Sequence, residues 1–318
     1  MPAAHPASPA VFIASHDAED YARLLARELG DQVPVNTVDR RAAVLAGYDG
    51  EPILLGRPDF LVDLLKSRPP VQWVQSTWAG VTPLVEIDFR DYRLTGVKDV
   101  FGRQMAEYVF GYLLAHELRL EQRRDSQHQH RWDDTPRGAL GGRVMGIMGT
   151  GSIGIHLAHM ARAFAMTPIG FNSRGEPLEP FAQVYTGDNL TGFLQRCDYL
   201  VGVLPATPAT SNLLDAAAFA AMKKSAYLVN VGRGNLVDDD ALVNALGEQQ
   251  LAGAVLDVFR DEPLAADSVL WDAPGLRITG HVAAVSRAAD IARLFVDNYR
   301  RFTSGEKLQH LVDFDKGY

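Results

Sequence analysis

The chain has 318 residues, of which 47% are hydrophobic, and its formal charge is −8 at pH 7. This length suits two domains, each long enough to bury a core of its own. The acidic excess argues against a nucleic acid or an anionic membrane as the main partner, and the single cysteine, Cys197, excludes an intrachain disulfide and a cysteine-rich metal site.

The start of the chain, MPAAHPASPAVFIAS, has no basic segment, and its apolar stretch is short. A secretory leader needs a basic segment followed by a longer apolar one, so we expect no leader. No apolar run approaches the roughly 20 residues of a membrane-spanning helix. We therefore expect a cytoplasmic protein.

Strand-like and helix-like segments alternate along the chain, which predicts α/β domains with parallel sheets. The predicted elements of the first part are strands at 11–14, 52–55 and 71–74, with a helix at 18–29 (AEDYARLLAREL). A long helix is predicted over residues 103–124, starting at Arg103. The polar, turn-rich residues 126–142 are predicted to form a connection.

The alternation restarts at Arg143 with short, continuously apolar runs. Such runs are typical of strands that are buried on both faces of a sheet. The last predicted element is a helix over residues 286–302 (SRAADIARLFVDNYRRF). Together these patterns predict two doubly wound parallel-sheet domains joined by the long helix.

The stretch Gly149-Thr150-Gly151-Ser152-Ile153-Gly154 lies between a predicted strand and a predicted helix. In a dinucleotide-binding unit, the first glycine allows a tight turn, the second a close approach of the pyrophosphate and the third close helix–strand packing. Free N–H groups and the dipole at the helix N-terminus favour the phosphates. The alternative is a glycine-rich turn that binds no ligand.

Units of this kind that bind NAD place an acidic residue about 20 positions after the turn, to hold the ribose 2′-hydroxyl. This chain has Asn172, Ser173 and Arg174 there. A carboxylate would repel a 2′-phosphate, whereas Ser173 and Arg174 offer it hydrogen bonds, one of them charge-assisted. The sequence therefore favours NADP(H). NAD(H) is possible if Arg174 is only a solvated turn residue.

Three further polar stretches each follow a predicted strand: VNVGRG at 229–234, LDVFRDEPL at 256–264 and TGHVAA at 279–284. Ligands of open α/β sheets bind at this edge, so Arg233, Glu262 and His281 are expected close together. A planar guanidinium can hold a carboxylate in a fixed geometry, and a histidine can transfer a proton near neutral pH.

From about Gln72 to the C-terminus, the sequence resembles the D-isomer-specific 2-hydroxyacid dehydrogenase family. Within that family it is most similar to the glyoxylate/hydroxypyruvate reductase A group. The features that carry this similarity are QMAEYV at 104–109, the Leu270-Trp271 pair and the terminal Lys316-Gly317-Tyr318.

The resemblance implies an oxidoreductase that reduces a small 2-oxo acid, of the glyoxylate or hydroxypyruvate kind, to the D-2-hydroxy acid with NADPH. It implies a dinucleotide-binding Rossmann domain over residues 99–285, and a smaller flavodoxin-like substrate domain formed by residues 1–98 and 286–318. It also implies a homodimer, for which Trp132 and the predicted helix from Arg103 are candidate interface elements.

Carried over residue by residue, the resemblance implies that Arg233 grips the substrate, Glu262 pairs with the histidine and His281 is the general acid. Positions implied to approach the nicotinamide and its ribose are Leu204, Pro205, Thr210, Val231, Gly232 and Asp257. The loop STWAGV at 76–81 resembles a family loop that binds the substrate carboxylate, which makes Trp78, Ala79 and Gly80 candidates. Arg57 is a further candidate, although a surface role explains it equally well.

One position departs from the family. Many members have proline before the catalytic histidine, where this chain has Gly280, and we expect a looser backbone there. His156 and His159 stand three apart on a predicted helix without a third ligand, so no metal site is predicted.

Two alternatives stay open. One is a binding protein that senses a dinucleotide on a dehydrogenase fold, and the other is an NAD-dependent dehydrogenase for a bulkier 2-hydroxy acid. The set of Arg233, Glu262 and His281 favours an enzyme, because a sensor need not keep proton-transfer groups.

Overall fold

The computed structural model describes residues 8–317. Residues 1–7, interpreted above as the start of a chain without a leader, and Tyr318 of the terminal motif lie outside this range. The chain forms two compact units: the first contains the residues up to Val100 and those from Ser286, and the second spans Phe101–Val285. No helix of the described residues is both long enough and apolar enough to cross a membrane.

The strands, in chain order, are β1 Val11–Ala14, β2 Val35–Val38, β3 Ile53–Gly56, β4 Trp73–Ser76, β5 Arg93–Thr95, β6 Val144–Met148, β7 Thr167–Phe171, β8 Val184–Tyr185, β9 Tyr199–Gly202, β10 Tyr227–Asn230, β11 Gly253–Leu256 and β12 Leu276–Ile278. The α-helices are α1 Ala18–Leu29, α2 Val44–Gly47, α3 Pro58–Lys66, α4 Thr82–Val85, α5 Gly102–Glu117, α6 Leu120–His128, α7 Ser152–Ala163, α8 Leu190–Arg196, α9 Ala216–Ala221, α10 Asp239–Gly247 and α11 Ala288–Ser304.

The first unit contains a five-stranded sheet in the order β2-β1-β3-β4-β5, with every pair parallel. This is the flavodoxin-like order, which changes direction between β1 and β3. The C-terminal helix α11 packs on this unit: Phe295 stacks on the buried Trp73 with ring centroids 4.9 Å apart, and the Tyr299 hydroxyl donates to the Pro9 carbonyl at 2.9 Å. The first and last parts of the chain therefore share one core.

The second unit contains a seven-stranded parallel sheet in the order β12-β11-β10-β9-β6-β7-β8. This is the doubly wound Rossmann order with one additional strand, and it changes direction between β6 and β9. Strands β9, β10 and β11 are buried at every position, as their continuous apolar runs predicted. The prediction of two doubly wound parallel-sheet units is confirmed.

The prediction of one continuous helix over residues 103–124 is wrong in the middle of that range. Helix α5 ends at Glu117, and a separate helix, α6, begins at Leu120. Arg119, between them, has a left-handed backbone with φ +53°. The guanidinium of Arg123 donates to the carbonyl of Leu118 at 3.0 Å and to two carbonyls of the connection that follows. These bonds satisfy a carbonyl that the break leaves outside the helix. Helix α6 also extends to His128, into the predicted connection.

Candidate active site

The glycine turn joins β6 to α7 at the point where the second sheet changes direction. Gly149 has φ +112°, a backbone conformation that favours glycine. A Cβ atom on Gly154 would lie 2.0 Å from the Gly149 carbonyl oxygen, so the helix approaches the turn too closely for a larger residue. A Cβ on Gly151 would meet no protein atom within 4 Å. The turn therefore leaves open space beside the N-terminus of α7, where Thr150, Ser152 and Ile153 also lie.

The loop after β7 is tied to this turn by the side chain of Asn172. Its amide nitrogen donates to the Thr150 hydroxyl at 2.7 Å, and its amide oxygen accepts from the backbone N–H groups of Arg174 and Gly175, both at 2.8 Å. Ser173 and Arg174 are exposed. Among residues 8–317, no acceptor binds the guanidinium of Arg174. Asn172 thus shapes the loop and leaves a cation beside the glycine turn.

The loop after β9 is fixed by its own hydroxyl groups. The Thr210 hydroxyl donates to the Pro205 carbonyl at 2.8 Å, and it accepts from the backbone N–H of Thr207 at 2.9 Å. Leu204 and Pro205 therefore occupy a defined position after the carboxyl end of β9, the strand that pairs with β6.

Arg233 follows β10 and is held through its backbone by Asn230, which is fully buried. The Asn230 amide donates to the Arg233 carbonyl at 3.0 Å and accepts from the N–H of Gly232 at 3.2 Å, which fixes the turn through Val231. The guanidinium donates to the Gly232 carbonyl at 2.6 Å. Burial lowers the pKa of Arg233 and the charge of Glu262 raises it, and arginine stays protonated at neutral pH.

Glu262 and His281 form a hydrogen-bonded pair, with 2.8 Å between Oε2 and Nδ1. The other carboxylate oxygen, Oε1, accepts from the N–H of Phe259 at 2.9 Å, which orients the carboxylate. Nδ1 faces Glu262, and no group of residues 8–317 hydrogen-bonds Nε2. The side chains of His281 and Glu262 are 48% and 35% exposed, so Nε2 is open to a ligand.

The backbone at His281 is held by Asp257, which is 1% exposed. The Asp257 carbonyl accepts from the His281 N–H at 2.7 Å, and its carboxylate accepts from the N–H groups of Val282 and Ala283, both at 2.9 Å. The Thr279 hydroxyl donates to the same carboxylate at 2.5 Å. Asp257 thus holds the backbone that follows Gly280 through three N–H groups.

In the first unit, Arg57 lies at the carboxyl end of β3, but its charge is compensated. Its Nε and Nη2 donate to the two carboxylate oxygens of Asp59, both at 3.0 Å. Its Cζ lies 4.8 Å from the ring centroid of Trp78 and 5.1 Å from that of Phe60, which are cation–π contacts.

The loop 76–81 at the end of β4 is stabilised by the Ser76 hydroxyl. This group accepts from the Trp78 N–H at 3.0 Å and donates to the Trp78 carbonyl at 2.8 Å. Within the described part of the chain, the N–H groups of Ala79 and Gly80 have no acceptor. Two adjacent free N–H groups are the arrangement expected of a loop that binds an anion.

The structure brings Arg233, Glu262 and His281 together at one edge of the second sheet, and places Arg57 beside Trp78 in the first unit. Sequence reasoning missed Asn230 and Thr279. The available signal was weak: both are polar residues at or just after the end of an apolar strand. Sequence reasoning also missed the hydrogen bonds from Asp257 to the backbone of residues 281–283.

Comparisons with known proteins identify the family. Residues 110–283 match the model of the D-isomer specific 2-hydroxyacid dehydrogenase NAD binding domain. A curated relative, glyoxylate/hydroxypyruvate reductase A of Escherichia fergusonii, is 33% identical over 218 residues, which cover 68% of this chain and 70% of the relative.

Two solved structures resemble the whole chain. A D-isomer specific 2-hydroxyacid dehydrogenase family protein from Aeromonas salmonicida is 40% identical, with a TM-score of 0.91 over 97% of this chain and 100% of that one. An NADPH-dependent glyoxylate/hydroxypyruvate reductase from Sinorhizobium meliloti, in complex with NADP and sulfate, is 28% identical, with a TM-score of 0.85 over 98% of this chain and 100% of that one. The chain therefore belongs to the D-isomer specific 2-hydroxyacid dehydrogenase family and is an NAD(P)-dependent oxidoreductase.

Proposed function

We propose that this enzyme reduces a small 2-oxo acid, such as glyoxylate or hydroxypyruvate, to the D-2-hydroxy acid with NADPH. The observation that carries the proposal is the pair of Glu262 and His281, 2.8 Å apart, at the same sheet edge as a partly buried Arg233. The names of the Escherichia fergusonii and Sinorhizobium meliloti relatives support the substrate class.

The dinucleotide would be held at the glycine turn, where the structure leaves open space beside a helix N-terminus. We infer a preference for NADPH, because Ser173 and Arg174 stand beside this turn and none of residues 172–174 is the acid that would hold a ribose 2′-hydroxyl. The NADP complex of the Sinorhizobium meliloti relative supports this preference. Further residues proposed to contact the cofactor are Leu204, Pro205, Thr210, Val231, Gly232 and Asp257.

When bound, the reduced nicotinamide supplies the hydride for the substrate carbonyl carbon. Arg233 would bind the substrate carboxylate and the 2-oxo oxygen with its planar guanidinium. His281 would donate a proton from Nε2 to that oxygen as its negative charge develops, and Glu262 would fix the tautomer and orientation of the ring. In the oxidative direction His281 would accept the proton.

The loop 76–81 is proposed to contribute to substrate binding through the N–H groups of Ala79 and Gly80. Trp78 would then limit the size of the substrate. The bidentate pair of Arg57 with Asp59 supports a role for Arg57 in fixing Trp78, rather than a direct grip on a carboxylate.

We infer that the second unit is the dinucleotide-binding domain and the first the substrate domain. We also infer a homodimer, since the family resemblance implies one. Trp132, which is 90% exposed, and α5 are the proposed interface elements. Sedimentation velocity of the wild type and of Trp132→Ala tests this: a wild-type monomer would overturn the inference.

The decisive experiment follows absorbance of the reduced nicotinamide, with NADPH and NADH in parallel against glyoxylate and hydroxypyruvate. Faster turnover with NADPH is expected, and His281→Ala should lower kcat by about 100-fold or more while NADPH still binds. Cofactor binding without turnover would favour the dinucleotide sensor. Turnover restricted to larger 2-oxo acids with NADH would favour the second alternative.

A further inference from the structure

The segment that carries His281, residues 279–285, is attached at both ends to side chains of α5. At its end, the Gln104 amide donates to the Val285 carbonyl and accepts from the Val285 N–H, both at 3.1 Å. At its start, the Tyr108 hydroxyl lies 2.5 Å from the Thr279 hydroxyl. Gln104 and Tyr108 are four residues apart, so they share one face of the helix.

The direction of the bonds at Tyr108 follows from its neighbours. The Thr279 hydroxyl donates its single proton to the Asp257 carboxylate at 2.5 Å, so it accepts from Tyr108. Burial raises the pKa of Tyr108, which keeps the donated proton on its oxygen at neutral pH, although the bond to Thr279 acts in the opposite direction. The hydroxyl groups therefore form a chain from α5 to Asp257.

Asp257 passes this restraint to the histidine. Its carboxylate binds the N–H groups of Val282 and Ala283, and its carbonyl binds that of His281. His281 has φ +55°, a left-handed conformation that is uncommon for residues with a side chain, although histidine adopts it more often than most. Gly280 before it leaves the covalent chain flexible, so the hydrogen bonds to Asp257 help to hold His281 in this conformation.

We propose that Gln104 and Tyr108 are positioning residues that, through Val285, Thr279 and Asp257, hold His281 in its proton-donating orientation. Both residues belong to the stretch QMAEYV at 104–109, which carries part of the family resemblance. The inference rests on the proposed role of His281 in catalysis. Neither Gln104 nor Tyr108 needs to touch the substrate, since both act through the backbone of the histidine segment.

The test uses the full-length enzyme and four variants: Tyr108→Phe, Thr279→Val, Thr279→Ser and Gln104→Leu. Tyr92→Phe is a matched control, because the Tyr92 hydroxyl is buried in the first unit and has no partner among the described residues. Hydrogen–deuterium exchange of the peptide that covers residues 279–285 is measured without cofactor. The kcat and the KM for NADPH are measured in separate steady-state assays.

Tyr108→Phe, Thr279→Val and Gln104→Leu are expected to speed amide exchange in residues 281–285. They should also lower kcat by about 10- to 100-fold, since a small misplacement of a reacting group has effects of this size. The KM for NADPH should stay within about twofold, because only transition-state positioning is lost. Thr279→Ser keeps the hydroxyl and should restore both readouts, and Tyr92→Phe should match the wild type.

Exchange and kcat that stay at wild-type values in Tyr108→Phe and Thr279→Val would overturn the inference. So would a Thr279→Ser variant as impaired as Thr279→Val, because the effect would then come from packing. His281→Ala separates the two proposals: full turnover in that variant contradicts the proposed function itself. If His281→Ala abolishes turnover while the Tyr108 and Thr279 variants resemble the wild type, only the positioning role fails.

Discussion

Arg57 and Arg233 hold similar places in the two units, since each follows a parallel strand at the carboxyl edge of its sheet. Arg57 donates to both carboxylate oxygens of Asp59 and stacks on Trp78. Arg233 makes no ion pair within residues 8–317, and its guanidinium donates to the carbonyl of the neighbouring Gly232. Arg57 is thus paired with a carboxylate inside the protein, whereas Arg233 has only the more distant charge of Glu262.

This difference separates two uses of arginine. A guanidinium in a bidentate pair has little charge left for a ligand, but it fixes the side chains around it. A partly buried guanidinium without a carboxylate partner loses water contacts, and an anionic ligand can replace them with charge-assisted hydrogen bonds. Arg233 therefore suits a carboxylate substrate, and Arg57 suits the support of a loop.

The largest effect is expected at Arg233. Arg233→Ala should lower kcat/KM for the 2-oxo acid by about 1000-fold or more, the effect of removing one partner of a desolvated charge pair. Arg233→Lys keeps the charge but loses the planar fork, so it should recover only part of the activity. Steady-state kinetics give the loss, and NADPH fluorescence titration should show nearly unchanged cofactor binding.

The NADPH titration of Arg233→Ala can also contradict a substrate-binding role. Cofactor binding that weakens in parallel with turnover would assign Arg233 to the dinucleotide or to the turn after β10. The comparison with Arg57 would then no longer separate a substrate-binding arginine from a structural one.

Much of the fold could be predicted because the signals are local. The apolar run at β1 and the amphipathic pattern of α1 gave the observed bounds, Val11–Ala14 and Ala18–Leu29. The break after α5 could not be predicted, since the guanidinium of Arg123 binds carbonyls as distant as that of Thr135. Contacts of that kind exist only once the chain has folded.

The candidate site likewise has features that the sequence predicts and features that it does not. Arg233, Glu262 and His281 stand out because a reactive residue type follows an apolar strand, and that pattern is visible in the sequence. Side-chain direction is not visible. The sequence offered no reason to pair Arg57 with Asp59, or to turn the Asp257 carboxylate toward the backbone of the histidine segment.

An intermediate effect is expected at Arg174, the exposed cation beside the glycine turn. Arg174→Ala should raise the KM for NADPH by about 10- to 100-fold, the value of one or two charge-assisted hydrogen bonds to a phosphate, and leave the KM for NADH nearly unchanged. Arg162→Ala is the matched control, because Arg162 is an exposed arginine of the same unit that pairs with Glu179 at 3.0 Å. Equal losses with both cofactors would instead place Arg174 against a part that the two share.

The smallest effect is expected at Arg57. Arg57→Met keeps a long side chain against Trp78 and removes a charge that Asp59 already compensates. We expect kcat/KM to fall by less than about tenfold, since partly exposed ion pairs and cation–π contacts are each worth on the order of 1 kcal/mol. Kinetics with glyoxylate and thermal unfolding, both measured beside Arg233→Ala, test this. A loss as large as that of Arg233→Ala would mean that Arg57 leaves Asp59 to bind the substrate. Both arginines would then be substrate-binding residues.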